Sequence, residues 1–463
     1  MAAIMAGTVM VVLDTTIVNV ALTAIGEGLH ASSGIEWVVT AYLLGVCASQ
    51  PACGWAADRF GRKEVYLASL VAFTATSLLA SMASNLPELV VARALQGFGG
   101  GALLPVGMAI CLDVFPRSQH GRAIAMWGTS AMVVPALGPT FGGWLVTAVS
   151  WNWLFRINVP IGVVCVILGI RLLPRTTTKI GGRLDSAGLV LGIVGLSLTV
   201  LGLSQGNSWG WGSAATIVCV GVGVGSSWWF VGHELAARQP LLDLRMLSHR
   251  AFRLTLIIVL FVKISEFGRL VYLALDLTGV RGYTPLRVGL IFMPAALCTA
   301  FSMQVGGRMT DRLGPRLPIL TGLTVVLVAT ASLGFLGLST PEWLIVAILC
   351  VQGLGTGLTN APVMVAGISQ LPKEKLSQAS ALRTLTNQVA GAIAVAVLGA
   401  VVAIRIGTDT SSANVQAAYN AVFIVGAVGV AIGWVVAYRL PRGVPDLSED
   451  DFEEAAVLAL AGE

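Results

Sequence analysis

"GWAADRFGRK" fills residues 54–63, between two long apolar runs, and gathers Asp58, Arg59, Arg62 and Lys63 into one turn of a chain in which only 11% of residues are charged. "GGRMTDRLGPR", residues 306–316, repeats the pattern: Gly54, Asp58, Arg59 and Gly61 recur as Gly307, Asp311, Arg312 and Gly314, each displaced by 253 residues. A second match has nearly the same offset. "VARALQGFGGGALLPV" (91–106) resembles "VAILCVQGLGTGLTNAPV" (346–363), with Gln96, Gly97, Gly99 and Gly101 recurring 256 residues later as Gln352, Gly353, Gly355 and Gly357. Two independent matches at one spacing predict an internal duplication. Parallel repeats of this kind build transporters with the substrate path between them.

Composition names the solvent. A soluble chain carries about a quarter charged residues; this one is 56% hydrophobic with a mean hydropathy of +0.84. The predicted fold class is an all-α integral membrane protein, because apolar runs of about 20 residues select helices over a barrel. Fourteen spans are predicted: 3–23, 37–57, 64–84, 87–113, 122–149, 153–173, 185–205, 212–232, 251–275, 285–307, 318–338, 342–366, 379–404 and 416–439. They divide into a six-span bundle (1–173), two extra spans (174–250), a second six-span bundle (251–440) and an acidic tail (441–463). The first run continues through "LDTTIVNVAL" (13–22) without a small-residue cleavage site, so no signal peptide is expected.

The basic residues orient the bundle. Loops after even-numbered spans, with Arg383 counted among them, and the C-terminal end hold 21 of the 28 Lys and Arg. The positive-inside rule then places both termini in the cytoplasm. The net charge of +5 faces anionic headgroups and calls for no nucleic acid. Trp37, Trp151, Trp153, Trp209, Trp211 and Trp343 fall near the opposite span ends, as an aromatic belt does. All seven cysteines lie in spans and the four histidines are scattered, so neither disulfides, a metal nor another cofactor is expected.

Together the motifs resemble those of the fourteen-span drug:proton antiporters of the major facilitator superfamily, the EmrB/QacA-like multidrug exporters. Residues 54–66 are similar to that superfamily's loop 2–3 signature, with Ala56 in place of the usual Leu. "RALQG" (93–97) resembles its span 4 signature, and "VVPALGPTFGG" (133–143) the G-P-x-x-G-G signature of exporters. "LDTTIVNVAL" resembles the span 1 signature of the fourteen-span group, with Thr23 where Pro is usual. The resemblance implies a proton-coupled exporter of amphipathic or cationic small molecules, a monomer of the inner membrane whose partners are the substrate, protons and lipid. Export of an endogenous lipid or metabolite is the alternative within transport; a receptor or scaffold is the alternative outside it.

The resemblance also assigns roles. The loop of Gly54, Asp58, Arg59, Gly61, Arg62 and Lys63 becomes a cytoplasmic gate, with Asp311, Arg312 and Gly314 as its second copy. Asp58 is expected to accept from helix N-terminal amides and from Arg59 or Arg62. For the cations the alternative is topology alone; an acidic residue does not serve topology. Pro135, Gly138, Pro139, Gly142 and Gly143 become the seal that stops a proton leaking beside the path, or else a generic small-residue packing face.

Charges inside the spans are functional candidates, because each costs about 2.5–3.5 kcal/mol at mid-bilayer. Asp14 sits mid-way along span 1 and forms a polar arc about 140° wide with Thr15 and Asn19. Arg93 lies in span 4 on one face with Gln96, and its position in the repeat is held by Leu349. Asp14 is the expected proton carrier and Arg93 its coupling partner; static pairing is the alternative. "FVKISEFGRLVYLALD" (261–276) departs from the family, placing Lys263, Glu266 and Arg269 in span 9, with Asp276 near its outer end. Spacings of three allow Lys263–Glu266 and Glu266–Arg269 contacts. This cluster, with Asn19 and Gln96, is the candidate substrate or ion site; an internally neutralised structural cluster is the other reading.

Three look-alikes carry no chemistry. "GNSWG" (206–210) lies in an outer loop, not on a nucleophile elbow; "GFGGGA" (97–102) follows no strand; "HELAA" (233–237) lacks the second zinc ligand. No phosphate-binding G-x-x-x-x-G-K-[ST] occurs, so no ATP-driven or other enzymatic step is expected. The tail from Ser448 reads as a short cytoplasmic helix with an acidic first turn.

Overall fold

The computed structural model describes residues 2–31, 34, 35, 37–115, 119–174, 185–237, 240–369, 371, 375–406 and 411–441. Their apolar runs fold into sixteen α-helices: α1 Ala2–Gly28, α2 Trp37–Phe60, α3 Arg62–Ser81, α4 Leu86–Gly100, α5 Leu103–Val114, α6 His120–Ala148, α7 Trp153–Arg156, α8 Asn158–Leu172, α9 Ser186–Trp209, α10 Ala214–Ala236, α11 Arg250–Gly268, α12 Pro285–Leu313, α13 Arg316–Leu333, α14 Glu342–Ile368, α15 Leu376–Ile406 and α16 Ser412–Tyr438. There are no strands among the described residues. Ten helical segments there are long and apolar enough to cross a membrane, the pair α4–α5 and the pair α7–α8 each counting once. Four further long helices complete the set: α1 and α2 precede the ten in the chain, and α6 and α11 stand between them. The acidic tail beyond residue 441 and the segment 175–184 lie outside the described residues.

Local chemistry fixes the helix ends. Asn85 Oδ1 accepts from Glu88 N at 3.0 Å while Glu88 Oε2 accepts from Ser84 N at 2.8 Å, a reciprocal cap that starts α4. Ser213, Thr284 and Ser411 cap α10, α12 and α16 in the same way. The two copies of the opening motif end on Gly61 (φ 102°) and Gly314 (φ 78°), a backbone region that other residues rarely adopt. That is why each tight turn between a helix pair ends on glycine at the same place in the motif.

The repeat is spatial as well as textual. A Cβ on Gly97 would lie 2.1 Å from the Tyr42 carbonyl, and one on Gly353 would lie 2.3 Å from the Ala295 carbonyl. A Cβ on Gly101 would meet Ser49 Oγ at 1.8 Å, and one on Gly357 would meet Ser302 Oγ at 2.0 Å. Gln96 Nε2 donates to Ser77 Oγ at 2.6 Å, as Gln352 Nε2 donates to Thr330 Oγ1 at 2.9 Å. In each case the α4 and α14 partners are 256 apart and their neighbours 253 apart, so the glycines that repeat are those where two helices touch backbone to backbone.

α1–α8 pack mainly among themselves and α11–α16 do likewise; α6 packs against α12 and α2 against α15 where the two groups meet. α9 lies against both α2 and α15, with α10 outside it. Two expected spans differ in detail. Span 4 is not one helix: Gly101 and Ala102 break it between α4 and α5, and Gln50 Nε2 donates to the Gly101 carbonyl at 2.9 Å. Span 9 continues past α11 through two π-helical turns, Arg269–Leu273 and Asp276–Val280, starting at a charged residue of the cluster.

Candidate functional site

Asp14, on α1, is wholly buried and lies at the centre of a polar network in an apolar setting. Its Oδ2 accepts from an Arg93 guanidinium nitrogen at 2.6 Å; its Oδ1 accepts from Gln96 Nε2 at 3.1 Å and from Asn158 Nδ2 at 2.8 Å. Arg93 also donates to Gln96 Oε1 at 2.5 Å and, through Nε, to the Val38 carbonyl at 3.3 Å. Its guanidinium stands 4.2 Å from the Tyr42 ring centroid and 5.6 Å from that of Phe155. Six helices thus converge on one ion pair: α1, α2, α3 through Ser77, α4, α7 through Phe155 and α8 through Asn158. Sequence reasoning paired Asp14 and Arg93 in role but missed Ser77, Asn158 and Tyr42. A lone Asn in the apolar "INVPIG" run was the one available signal.

The loop motif joins the two helix groups. Gln378, in the first turn of α15, donates through Nε2 to Asp58 Oδ2 at 2.9 Å. Its Oε1 accepts from Asp243 N at 3.1 Å, and Asp243 Oδ2 accepts from Lys375 at 2.5 Å, so the segment after α10 is tied to the same point. The second copy of the motif does the corresponding thing at the start of α6: Asp311 accepts from Gly121 N at 2.9 Å and Arg122 N at 3.2 Å. Helix-amide capping is seen at Asp311, and Asp58 accepts from a side-chain amide across the groups; Arg62 pairs with Asp113 on α5. Lys63 Nζ donates to the Ile170 and Leu173 carbonyls at the end of α8. Close approach explains the motif's first glycine: a Cβ on Gly54 would lie 3.0 Å from Gln378 Cγ and 3.3 Å from its Cα, and one on Gly307 would lie 2.5 Å from the Gly121 carbonyl. Arg59 and Arg312 are exposed.

Between the groups lies a cavity of about 450 Å³. Its wall is mostly apolar, with Val11, Leu43, Met108, Trp127, Met303 and Met364 among its members. Among the described residues two charged ones line it, Lys263 and Arg383, and both are cations. Arg383 corrects the sequence reading, which counted it with the loop cations. α15 begins at Leu376, so Arg383 is two turns inside the helix and faces the cavity. Lys263 donates to Glu266 Oε2 at 2.6 Å, one of the two expected contacts. Arg269 holds its guanidinium 5.7 Å from the Phe292 ring centroid, and Asp276 pairs with Arg281 at 2.9 Å. Glu266, Arg269 and Gln96 are not on the cavity wall; Gln96 belongs to the Asp14 network. Tyr42 is common to both places, lining the cavity and covering Arg93, and Thr15 lines it one residue from Asp14. The cavity also lies close to the cross-group bonds. Ser380 on its wall is two residues from Gln378, about 3 Å along a helix axis.

The exporter motif on α6 packs against α1. A Cβ on Gly138 would meet Thr16 Oγ1 at 2.4 Å, and one on Gly142 would meet Ile17 Cβ at 3.0 Å. The side chains at Pro135, Pro139 and Gly143, and that of Asn19, lie outside the described residues.

Comparison with known proteins agrees with this architecture. The Major Facilitator Superfamily profile matches residues 4–395. The chain is 29% identical over 445 residues to the transporter YcnB of Bacillus subtilis, covering 95% of this chain and 94% of that one. It is 30% identical over 395 residues to the multidrug resistance protein B homolog of Mycobacterium tuberculosis, covering 84% and 73%. The solved structure of the proton:xylose symporter XylE superposes with a TM-score of 0.65 at 12% identity, covering 92% of this chain and 93% of that one, which is a likeness of fold. Transporters of this kind are not enzymes, and the chain belongs to the Major Facilitator Superfamily.

Proposed function

We propose that the protein is a proton-coupled antiporter that exports amphipathic small molecules. In this reading it crosses the inner (cytoplasmic) membrane fourteen times, as two six-span halves with α9 and α10 added between them and both termini in the cytoplasm. It acts as a single chain.

One observation carries the coupling: Tyr42 is shared by the cavity and the Asp14–Arg93 pair. A proton arriving on Asp14 cancels the charge that holds Arg93. Arg93 then shifts against Gln96 and the Tyr42 ring, and the cavity wall changes with it. A substrate pressing on Tyr42 drives the same exchange in reverse, which is the reciprocity that any coupling requires. Asp58 with Gln378, and Asp311 with the α6 amides, latch one end of the path; rocking of the halves breaks them. The Gly138 and Gly142 seam against α1 keeps the proton route beside Thr16 separate from the lipid. The drug-resistance name of the mycobacterial relative supports an amphipathic cargo.

The test uses everted vesicles with a pH-sensitive dye, challenged with a panel of amphipathic compounds. Compound-induced proton release in the wild type and none in Asp14→Asn supports the reading. Full pH-dependent export by Asp14→Asn overturns it.

A further inference from the structure

The charge on the cavity wall says which sign of molecule it takes. We infer that the cavity binds an amphipathic organic anion, a hydrophobic body carrying one carboxylate or sulfonate, rather than a cation; as the identity of an exported substrate this rests on the exporter reading above.

Four observations support it. First, the described residues of the wall include two cations and no carboxylate. Second, Arg383 has no carboxylate within ion-pair distance and no hydrogen-bond partner among the described residues. A partly buried guanidinium without a counter-ion is a half-built site, and its planar fork of donors matches an oxyanion in two places at once. Third, the neighbouring charges do not cancel. Glu266 answers Lys263 at 2.6 Å, so the cation that stays unanswered on the described wall is Arg383. Asp14 contributes no surplus, since Arg93 matches it.

Fourth, the polar atoms around Arg383 are waiting for partners. Ser380 lies three residues before Arg383 and Asn387 four after, which places all three on one face of α15. Ser380 Oγ, Asn387 Oδ1 and, across the cavity, Asn360 Nδ2 are buried without a hydrogen-bond partner. Ser380 and Asn360 can each donate to an anionic head that Arg383 holds. The rest of the described wall is mostly aliphatic, thioether and aromatic, with Thr15, Gln50, Thr384 and Gln388 as neutral polar members, and 450 Å³ suits a drug-sized hydrophobic body.

A matched pair of probes tests the sign directly: 1-naphthylacetate and 1-naphthylmethylammonium, alike in their aromatic body and opposite in charge. Binding to the purified full-length protein in lipid nanodiscs is read by isothermal titration calorimetry, with empty nanodiscs as the blank. The anion is expected to bind at least tenfold tighter than the cation. Arg383→Gln is expected to weaken the anion at least tenfold and to erase or reverse the preference, while Arg383→Lys keeps the preference. The melting temperature of ligand-free Arg383→Gln is read alongside. It should equal or exceed that of the wild type, because an unpaired charge has been removed. Equal affinity for the two probes, tighter binding of the cation, or an anion affinity indifferent to Arg383→Gln in a folded variant overturns the inference. Binding is measured without a proton gradient. A protein that prefers the anion but moves no protons would therefore sink the exporter reading and leave this one standing.

Discussion

Gln378 and Asp58 are 320 residues apart in the chain and joined by one hydrogen bond of 2.9 Å, from the α15 side-chain amide to the carboxylate that ends α2. In the gate proposed above, opening the path at this end breaks that bond. A hydrogen bond to a charged group contributes about 1.5–3 kcal/mol, so losing it shifts an open–closed equilibrium roughly ten- to hundredfold. Gln378→Ala should therefore expose cavity positions from the side of this loop. With Thr384→Cys as reporter, maleimide labelling should accelerate at least tenfold in the Gln378→Ala background. An unchanged labelling rate would show that the bond does not hold the latch.

Asp311→Asn should weaken the other latch in a different way. The carboxylate accepts two backbone amides at the start of α6, and an amide replaces it with one acceptor of lower charge. The expected loss is about 1 kcal/mol, seen as a lower melting temperature together with faster labelling. Asp58→Asn keeps an acceptor for Gln378, so its labelling should rise less than that of Gln378→Ala.

The Asp14 pair predicts a pattern across three variants. Removing one member of a buried pair costs about 3–5 kcal/mol because the partner is left charged. Asp14→Asn and Arg93→Gln should each lower the melting temperature, and the double variant should lie above the worse single. All three should lose proton-driven export. Asp14→Asn as stable as the wild type would mean that Arg93 finds another counter-charge.

For Glu266, the single change Glu266→Gln leaves Lys263 and Arg269 without their shared carboxylate. Folded yield and transport should both fall, and Lys263→Met with Glu266→Gln should restore part of the yield. Recovery of yield with an altered set of exported compounds marks Lys263 as a substrate contact, as its place on the cavity wall suggests. Wild-type behaviour of the single variant would refute the pairing.

Gly97→Ala and Gly353→Ala should behave as twins. Each puts a methyl group just over 2 Å from a backbone carbonyl that cannot rotate away. Overpacking of that kind costs about 1–3 kcal/mol. A thermal-unfolding comparison in which one is tolerated and the other is not would show that the two helix groups are less alike than their contacts suggest.

Much of this was legible in one dimension because the repeat is written in residue types with few substitutes. Glycine alone permits the positive φ of Gly61 and Gly314 and the backbone contacts of Gly97 and Gly353, so those positions announce themselves. A charge in an apolar run is equally loud, and Asp14, Arg93 and the Lys263 cluster were visible for that reason. Ser77, Asn158 and Tyr42 were not, since their importance comes from convergence of helices distant in sequence. Arg383 was misread because positive-inside counting assigns a cation by its distance from a loop. Whether it points to water or to the interior depends on the helix face, which the flanking residues do not reveal. The break at Gly101 was hidden because the apolar run of span 4 continues through residues 97–102 without a polar or charged residue.

That break has no counterpart in α14, where Gly357 makes the same contact inside an uninterrupted helix. The repeat has left the molecule with one jointed strut and one continuous one beside its cavity. A jointed strut absorbs bending where it stands, beside Gln50 and the cavity wall. A continuous one, with Pro362 as its one inbuilt bending point, carries a push along its length. The two sides then divide the labour of motion, one yielding around the cargo and the other relaying its arrival.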